Sequence, residues 1–301
     1  MSKPRLSSII VTVLLLGLLV TPAMAGISGP GVSGIQIQNL DKVDSANITV
    51  ELWNQDGSPG IQLSDPTSLA AGSATNVYLP NYSSTEVPSG AYAMVVSSDK
   101  PVAAIARTDW SSSGGAGIYS SVDKGPDVIV PLVVANYVGQ TTQFTVQNTD
   151  ASSDITVDVT LFGRGMTSPV IELTGQTIPK GTSKTWSLDD VAFGTLPDTA
   201  LDLGASGFVG ALQVQSTGAD IVVQSFIDLD GSPGVTAFSG VPTTSGSETL
   251  FCPLIRANYY GDTGISIYNP NGSQANVEIV FRADANSPNS GVYTETLQIG
   301  Q

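Results

Sequence analysis

Short runs in which aliphatic and β-branched residues alternate with polar ones recur along the chain. Ile48, Val50 and Leu52 alternate with Thr49, Glu51 and Trp53. Ile155, Val157, Val159 and Leu161 alternate with Thr156, Asp158, Thr160 and Phe162, and Val277, Ile279 and Phe281 with Asn276, Glu278 and Arg282. A period of two puts one set of side chains on a core and the other in water, so it predicts half-buried strands; helical spacing does not fit. A shorter alternating run precedes each strand: Ile35 and Ile37, Phe144 and Val146, Ile265 and Ile267. The links between the two runs, 40–47, 149–154 and 270–275, are polar or contain Gly. They predict tight connections between antiparallel neighbours, so that each copy opens with a hairpin-like pair.

These runs fall into register when Asn39, Asn148 and Asn269 are aligned, and the chain is a repeat. A lead-in, Pro-Leu-x-x-x-Asn-Tyr-x-Gly, stands at 131–139 and again at 253–261; the first copy has Gly26 to Gly34 there, so its first strand is expected to be absent or irregular. Downstream, the Gly turns at Gly72 and Gly181, the runs 90–96 and 207–214, and the returns 102–105 and 221–223 match in the first two copies. The anchor asparagines are 109 and then 121 residues apart, well beyond solenoid periods of about 20–50. About seven short strands per copy, with Gly/Ser/Pro-rich turns and no helix, predict an all-β protein of tandem antiparallel β-sandwiches. The expected units are 26–125, 126–246 and a partial third, 247–301, joined by short links that limit bending. The third copy stops at Ile299-Gly300-Gln301, where the other copies have their Gly turns. It is expected to be either a fragment of a longer sequence or a half-sandwich completed by strands of a neighbouring molecule.

Charge and the N-terminus add a compartment. Lys3 and Arg5, the apolar run Ile9 to Val20 and the small residues Ala23-Met24-Ala25 form a signal-peptide pattern over 1–25, with cleavage expected after Ala25. The apolar run is shorter than the roughly 20 residues of a membrane span. The mature chain is therefore expected to have no membrane span and to be extracellular or at the cell surface. Losing two basic residues deepens the formal net charge from −15 to about −17. Such a surface disfavours nucleic acid and anionic lipid.

Candidate chemistry is sparse. There is no histidine and one cysteine, Cys252, which excludes Ser-His-Asp and Cys-His arrangements, His-based zinc sites and thiolate clusters. The neighbours of Cys252 predict a buried small hydrophobe, with pairing between chains as the alternative. The two Ser-x-x-Lys matches, Ser97 to Lys100 and Ser121 to Lys124, lack companion motifs. A weak calcium site is the metal candidate, on Asp228 and Asp230 of Asp-Leu-Asp-Gly, with a partial counterpart at Asp109 and a similar turn at 54–57; a plain Asp/Gly turn explains the same letters. Trp53, Trp110, Trp186, Tyr259 and Tyr260 are candidates for stacking on sugar rings, or else cover a core edge or a joint between domains.

The Asn-anchored runs, the lead-ins at 131–139 and 253–261 and the later Gly-strand-turn-strand resemble the tandem Ig-like or fibronectin type III-like modules of bacterial secreted and cell-surface proteins. The resemblance implies adhesion, cell-envelope, spacer or carbohydrate-associated roles and supplies no catalytic residue. The expectation is an exported, non-enzymatic structural or adhesive protein, with other surface proteins or polysaccharide as partners. The alternative is a carbohydrate-binding or accessory region of a larger secreted enzyme.

Overall fold

The computed structural model describes residues 31–110, 115–120, 123–200, 204–229, 235–250, 252, 264–271, 273–282 and 292–299. The fold is all-β, with every sheet antiparallel. In the first unit β1 (Gly31–Asn39), β5 (Ala74–Tyr78), β7 (Val102–Trp110) and β8 (Gly115–Ser120) form one sheet in the order β5-β1-β7-β8. Opposite it, β2 (Ala46–Asn54) pairs with the short β3 (Ile61–Gln62) and β4 (Ser68–Leu69) and with β6 (Tyr92–Ser98). Ile37, Ile48, Val50, Leu52, Leu63, Leu69 and Val77 make the core between the sheets.

The second unit repeats this plan and adds to it. Here β10 (Gln140–Asn148), β13 (Ser183–Ser187), β15 (Ile221–Leu229) and β16 (Val235–Ser239) form the sheet β13-β10-β15-β16. The facing sheet, in the order β12-β11-β14-β9-β17, contains β9 (Asp127–Ala135), β11 (Ile155–Gly163), β12 (Pro169–Ile178), β14 (Phe208–Thr217) and β17 (Val241–Pro242). The lead-in Pro131 to Ala135 is thus the C-terminal half of β9, which lies along the edge of β14. Val128, Val130 and Val133 of β9 are fully buried. Burying such a side chain contributes about 1.5–3 kcal/mol, so the lead-in is a core strand of this unit. After it β18 (Ala275–Arg282) and β19 (Val292–Ile299) form a hairpin.

The hairpin-like opening pair is overturned. β1 and β2 lie in different sheets, as do β10 and β11, so the first two polar links cross from one sheet to the other. The anchor asparagines explain the crossing. Asn39 is fully buried; its Nδ2 donates to the carbonyls of Asp44 (2.9 Å), Leu69 (3.3 Å) and Ala70 (3.2 Å), and its Oδ1 accepts the Asp41 N–H (2.9 Å). Asn148 repeats the pattern: Nδ2 donates to Ser153 (2.8 Å), Ile178 (3.3 Å) and Pro179 (3.2 Å), and Oδ1 accepts from Asp150 (2.9 Å). A buried turn leaves backbone groups that must find partners, and one amide side chain satisfies them on both sides of the crossing. In the third copy Asn269 Nδ2 donates to Ser273 (2.8 Å) and Oδ1 accepts from Asn271 (3.1 Å). Its reach is one residue shorter, and β18 begins six residues after Asn269 where β11 begins seven after Asn148, so Val277, Ile279 and Phe281 keep the parity of Val157, Val159 and Leu161.

Cys252 also departs from expectation. It is exposed, whereas Val130, its counterpart just before the lead-in at 131–139, is fully buried.

Candidate functional site

The convergent contacts of the described structure lie where one unit meets the next. Trp53 is the outward residue near the end of β2, and Phe162 holds the same place in β11. Trp53 lies over the Gly turn of the second unit, where a Cβ added to Gly181 would fall 2.6 Å from its ring. That glycine has φ +68°, a left-handed conformation in which only glycine is unstrained. Beside it, the turn at Gly57 rests on Pro179, with a Cβ at Gly57 placed 2.8 Å from Pro179 Cβ. Phe162 instead meets Tyr268 at the start of the third copy, ring centroids 6.2 Å apart. One repeat position thus faces the following unit twice, through different partners.

A second contact locks the first joint from the other sheet. Phe226 of β15 stands edge-on to Trp110 (5.5 Å) and Tyr119 (5.8 Å), both at 78°. Gly117 is where β8 can approach this ring, since a Cβ there would fall 2.7 Å from Phe226 Cε1. Burial pushes the Tyr119 phenol above its ordinary pKa. At the link itself, Gly125 N–H donates to Ile221 O (3.1 Å), Ile221 N–H donates to Gly125 O (2.9 Å), and Lys124 Nζ lies 3.6 Å from Asp220 Oδ2. Short linker, backbone bridge and two aromatic contacts together oppose independent motion of the two units.

Two grooves flank the joints. One of about 500 Å³ is lined by Gln55 of the first unit and by Lys184, Trp186 and Asp190, among others, of the second. Lys184 Nζ sits 4.9 Å from the Trp186 ring centroid and donates to Gln176 Oε1 (3.0 Å); burial lowers its pKa. The other, about 730 Å³ and mostly apolar, runs between β11 and the third copy past Phe162, Met166, Tyr268 and Ile279. Ser266 Oγ donates to Pro131 O (2.7 Å) at its side. Burial, and then the Asp127 carboxylate, raise the Tyr268 pKa.

Of the candidate calcium ligands, Asp228 is a buried residue of β15, in register between Thr141 and Val235; Asp230 lies outside the described residues. Asp109, its counterpart in β7, pairs with Arg107. In the turn at 54–57, Asp56 Oδ1 accepts the Ser58 N–H (2.9 Å), and the Ser58 hydroxyl and N–H hold its carboxyl below the usual range. Among the described residues no group of three or more His, Cys, Asp or Glu is placed to hold a metal. Lys100 of the first Ser-x-x-Lys match pairs with Asp44 at 2.7 Å, and Ser121 of the second lies outside the described residues.

The aromatic candidates divide. Trp110 and Trp186 are buried, Trp186 stacked on Phe144 at 5.4 Å, and Trp53 is half-buried at the joint; Tyr259 and Tyr260 lie outside the described residues. Phe226 was not singled out by sequence, because it is one alternating residue among many. No helix among the described residues is long and apolar enough to cross a membrane. Comparison with protein-family models, with curated proteins and with solved structures returned no match.

Proposed function

We propose that the chain is an exported, non-enzymatic structural or adhesive protein whose tandem Ig-like sandwiches act by display and spacing. The observation that carries this reading is the first joint, where Trp53 is seated on Gly181 and Phe226 between Trp110 and Tyr119. Side chains invested in fixing one sandwich against the next suit a spacer, whose output is distance and orientation. The signal-peptide pattern over 1–25 and the acidic composition support export and solubility at a cell surface. The test is expression of the full chain in a bacterial host, with N-terminal sequencing and protease treatment of intact cells. A mature start at Gly26 and digestion by external protease are expected; an uncleaved, protease-protected chain in the cytoplasm overturns the reading.

A further inference from the structure

Among the described residues one sheet edge of the first unit carries no strand where the second unit has β9, and two residues aligned with buried positions of β9 are exposed. In the second unit β9 pairs with β14, placing Val128 opposite Val214 and Val130 opposite Leu212; all four side chains are fully buried. The counterparts of Leu212 and Val214 in the first unit are Met94 and Val96 of β6, fixed by their pairing with Leu52 and Val50. One edge of β6 is taken by β2; among the described residues no strand pairs with its other edge. Met94 and Val96 are accordingly only half-buried. The mirror image appears at 249–257, Thr-Leu-Phe-Cys-Pro-Leu-Ile-Arg-Ala, which aligns with β9 through Pro253 and Pro131. Leu250 and Cys252 stand where Val128 and Val130 do, yet Leu250 is 75% exposed and Cys252 is exposed. Among the described residues, β6 thus shows an open edge where β14 carries β9, and Leu250 and Cys252 are exposed where Val128 and Val130 are buried.

We propose that the free edge of β6 accepts segment 249–257 of a second copy as an added strand in the place β9 occupies on β14. Leu250 would cover Val96 and Cys252 would cover Met94, in the register that Val128 and Val130 show. Strand addition draws its affinity from main-chain hydrogen bonds and its specificity from alternate side-chain pockets. Donor and acceptor are different surfaces of one chain, so the contact is heterologous and propagates head to tail. The inference rests on the proposed removal of residues 1–25. Pro22 lies as far before Asn39 as Pro131 does before Asn148, which makes residues 18–26 the competing occupant when they are retained.

The experiment is sedimentation velocity over a wide concentration range on protein produced to start at Gly26, with and without excess synthetic peptide 249–257 carrying Cys252→Ser. Concentration-dependent association, reversal to monomer by the peptide, and a monomeric Leu250→Asp/Ile255→Asp variant are expected. The variant changes only the donor, and thermal unfolding checks that the two sandwiches remain folded. Monomers at every concentration, association that ignores the peptide, or association that survives in the double variant would each overturn the proposal. So would a full-length chain in which retained residues 18–26 alone protect the β6 amides from hydrogen exchange while the Gly26 chain stays monomeric. Because this protein starts at Gly26 by design, failure here is distinct from failure of export, which N-terminal sequencing reads.

Discussion

Trp53 and Gly181 meet across the joint so closely that the glycine has room for no side chain, a Cβ falling 2.6 Å from the indole. Gly72 occupies the same turn in the first unit with φ +64° and open space around it. The pair separates backbone strain from joint packing. Gly72→Ala is expected to cost about 1 kcal/mol, the strain of alanine at positive φ. Gly181→Ala carries the same strain plus displacement of Trp53, about 1–3 kcal/mol more. Equal losses in chemical denaturation would show that the contact contributes nothing.

Asn148→Ala should be among the most damaging single changes. It removes the amide's bonds to the carbonyls of Ser153, Ile178 and Pro179 and to the Asp150 N–H; Pro179 O keeps its bonds from the Thr182 N–H and hydroxyl, and each group left buried without a partner costs about 1–3 kcal/mol. Asn148→Asp should not rescue, since a carboxylate cannot donate to three carbonyls. Asn39→Ala and Asn39→Asp should behave alike in the first unit. A denaturation midpoint within error of wild type for Asn148→Asp contradicts the assignment.

Removal of the Phe226 ring empties the space between Trp110 and Tyr119. Because Phe226 is half-buried, Phe226→Ala is expected to lose about 1–3 kcal/mol, less than truncation of a core phenylalanine, and to change the near-ultraviolet dichroism contributed by Trp110. An unaltered spectrum would mean that the edge-on contacts do not persist in solution.

Acid should weaken the sheet crossings. Backbone N–H groups of Asp44 and Val43 hold the Asp41 carboxyl below its ordinary 3.8, the Asn47 N–H and side chain do so for Asp99, and the Ser152 hydroxyl and N–H for Asp150. A carboxyl whose pKa is lower in the folded state adds stability that is fully present above its unfolded pKa and is lost as pH falls through the folded one. Stability should be flat from neutrality down to about pH 5 and decline below about pH 4. Asp99→Asn should flatten that decline, and a pH series of urea midpoints checks both.

The strands were legible because period-two alternation survives in single runs such as Ile155 to Leu161, and the asparagines marked the repeat. The sheet crossing was not, since a short polar link reads the same whether it turns within a sheet or passes between two. What decides is Asn39 bonding to carbonyls 30 and 31 residues on, which no local pattern records. The exposure of Cys252 is illegible for a related reason: apolar neighbours in the sequence imply burial only where a sheet edge receives them. At the joint, Trp53 was visible as an outward aromatic, but its partner is a glycine spelled like Gly72. Nothing in the letters distinguishes a turn that receives a tryptophan from one that faces water.

Residual dipolar couplings on protein starting at Gly26 measure whether neighbouring sandwiches are held in one orientation, as a spacer requires. Amides of β1–β8 and of β9–β17 should fit a single alignment tensor in wild type and separate into two in the Trp53→Ala/Phe226→Ala variant. Two independent tensors in the wild-type protein would show that the sandwiches reorient freely and are not a fixed spacer.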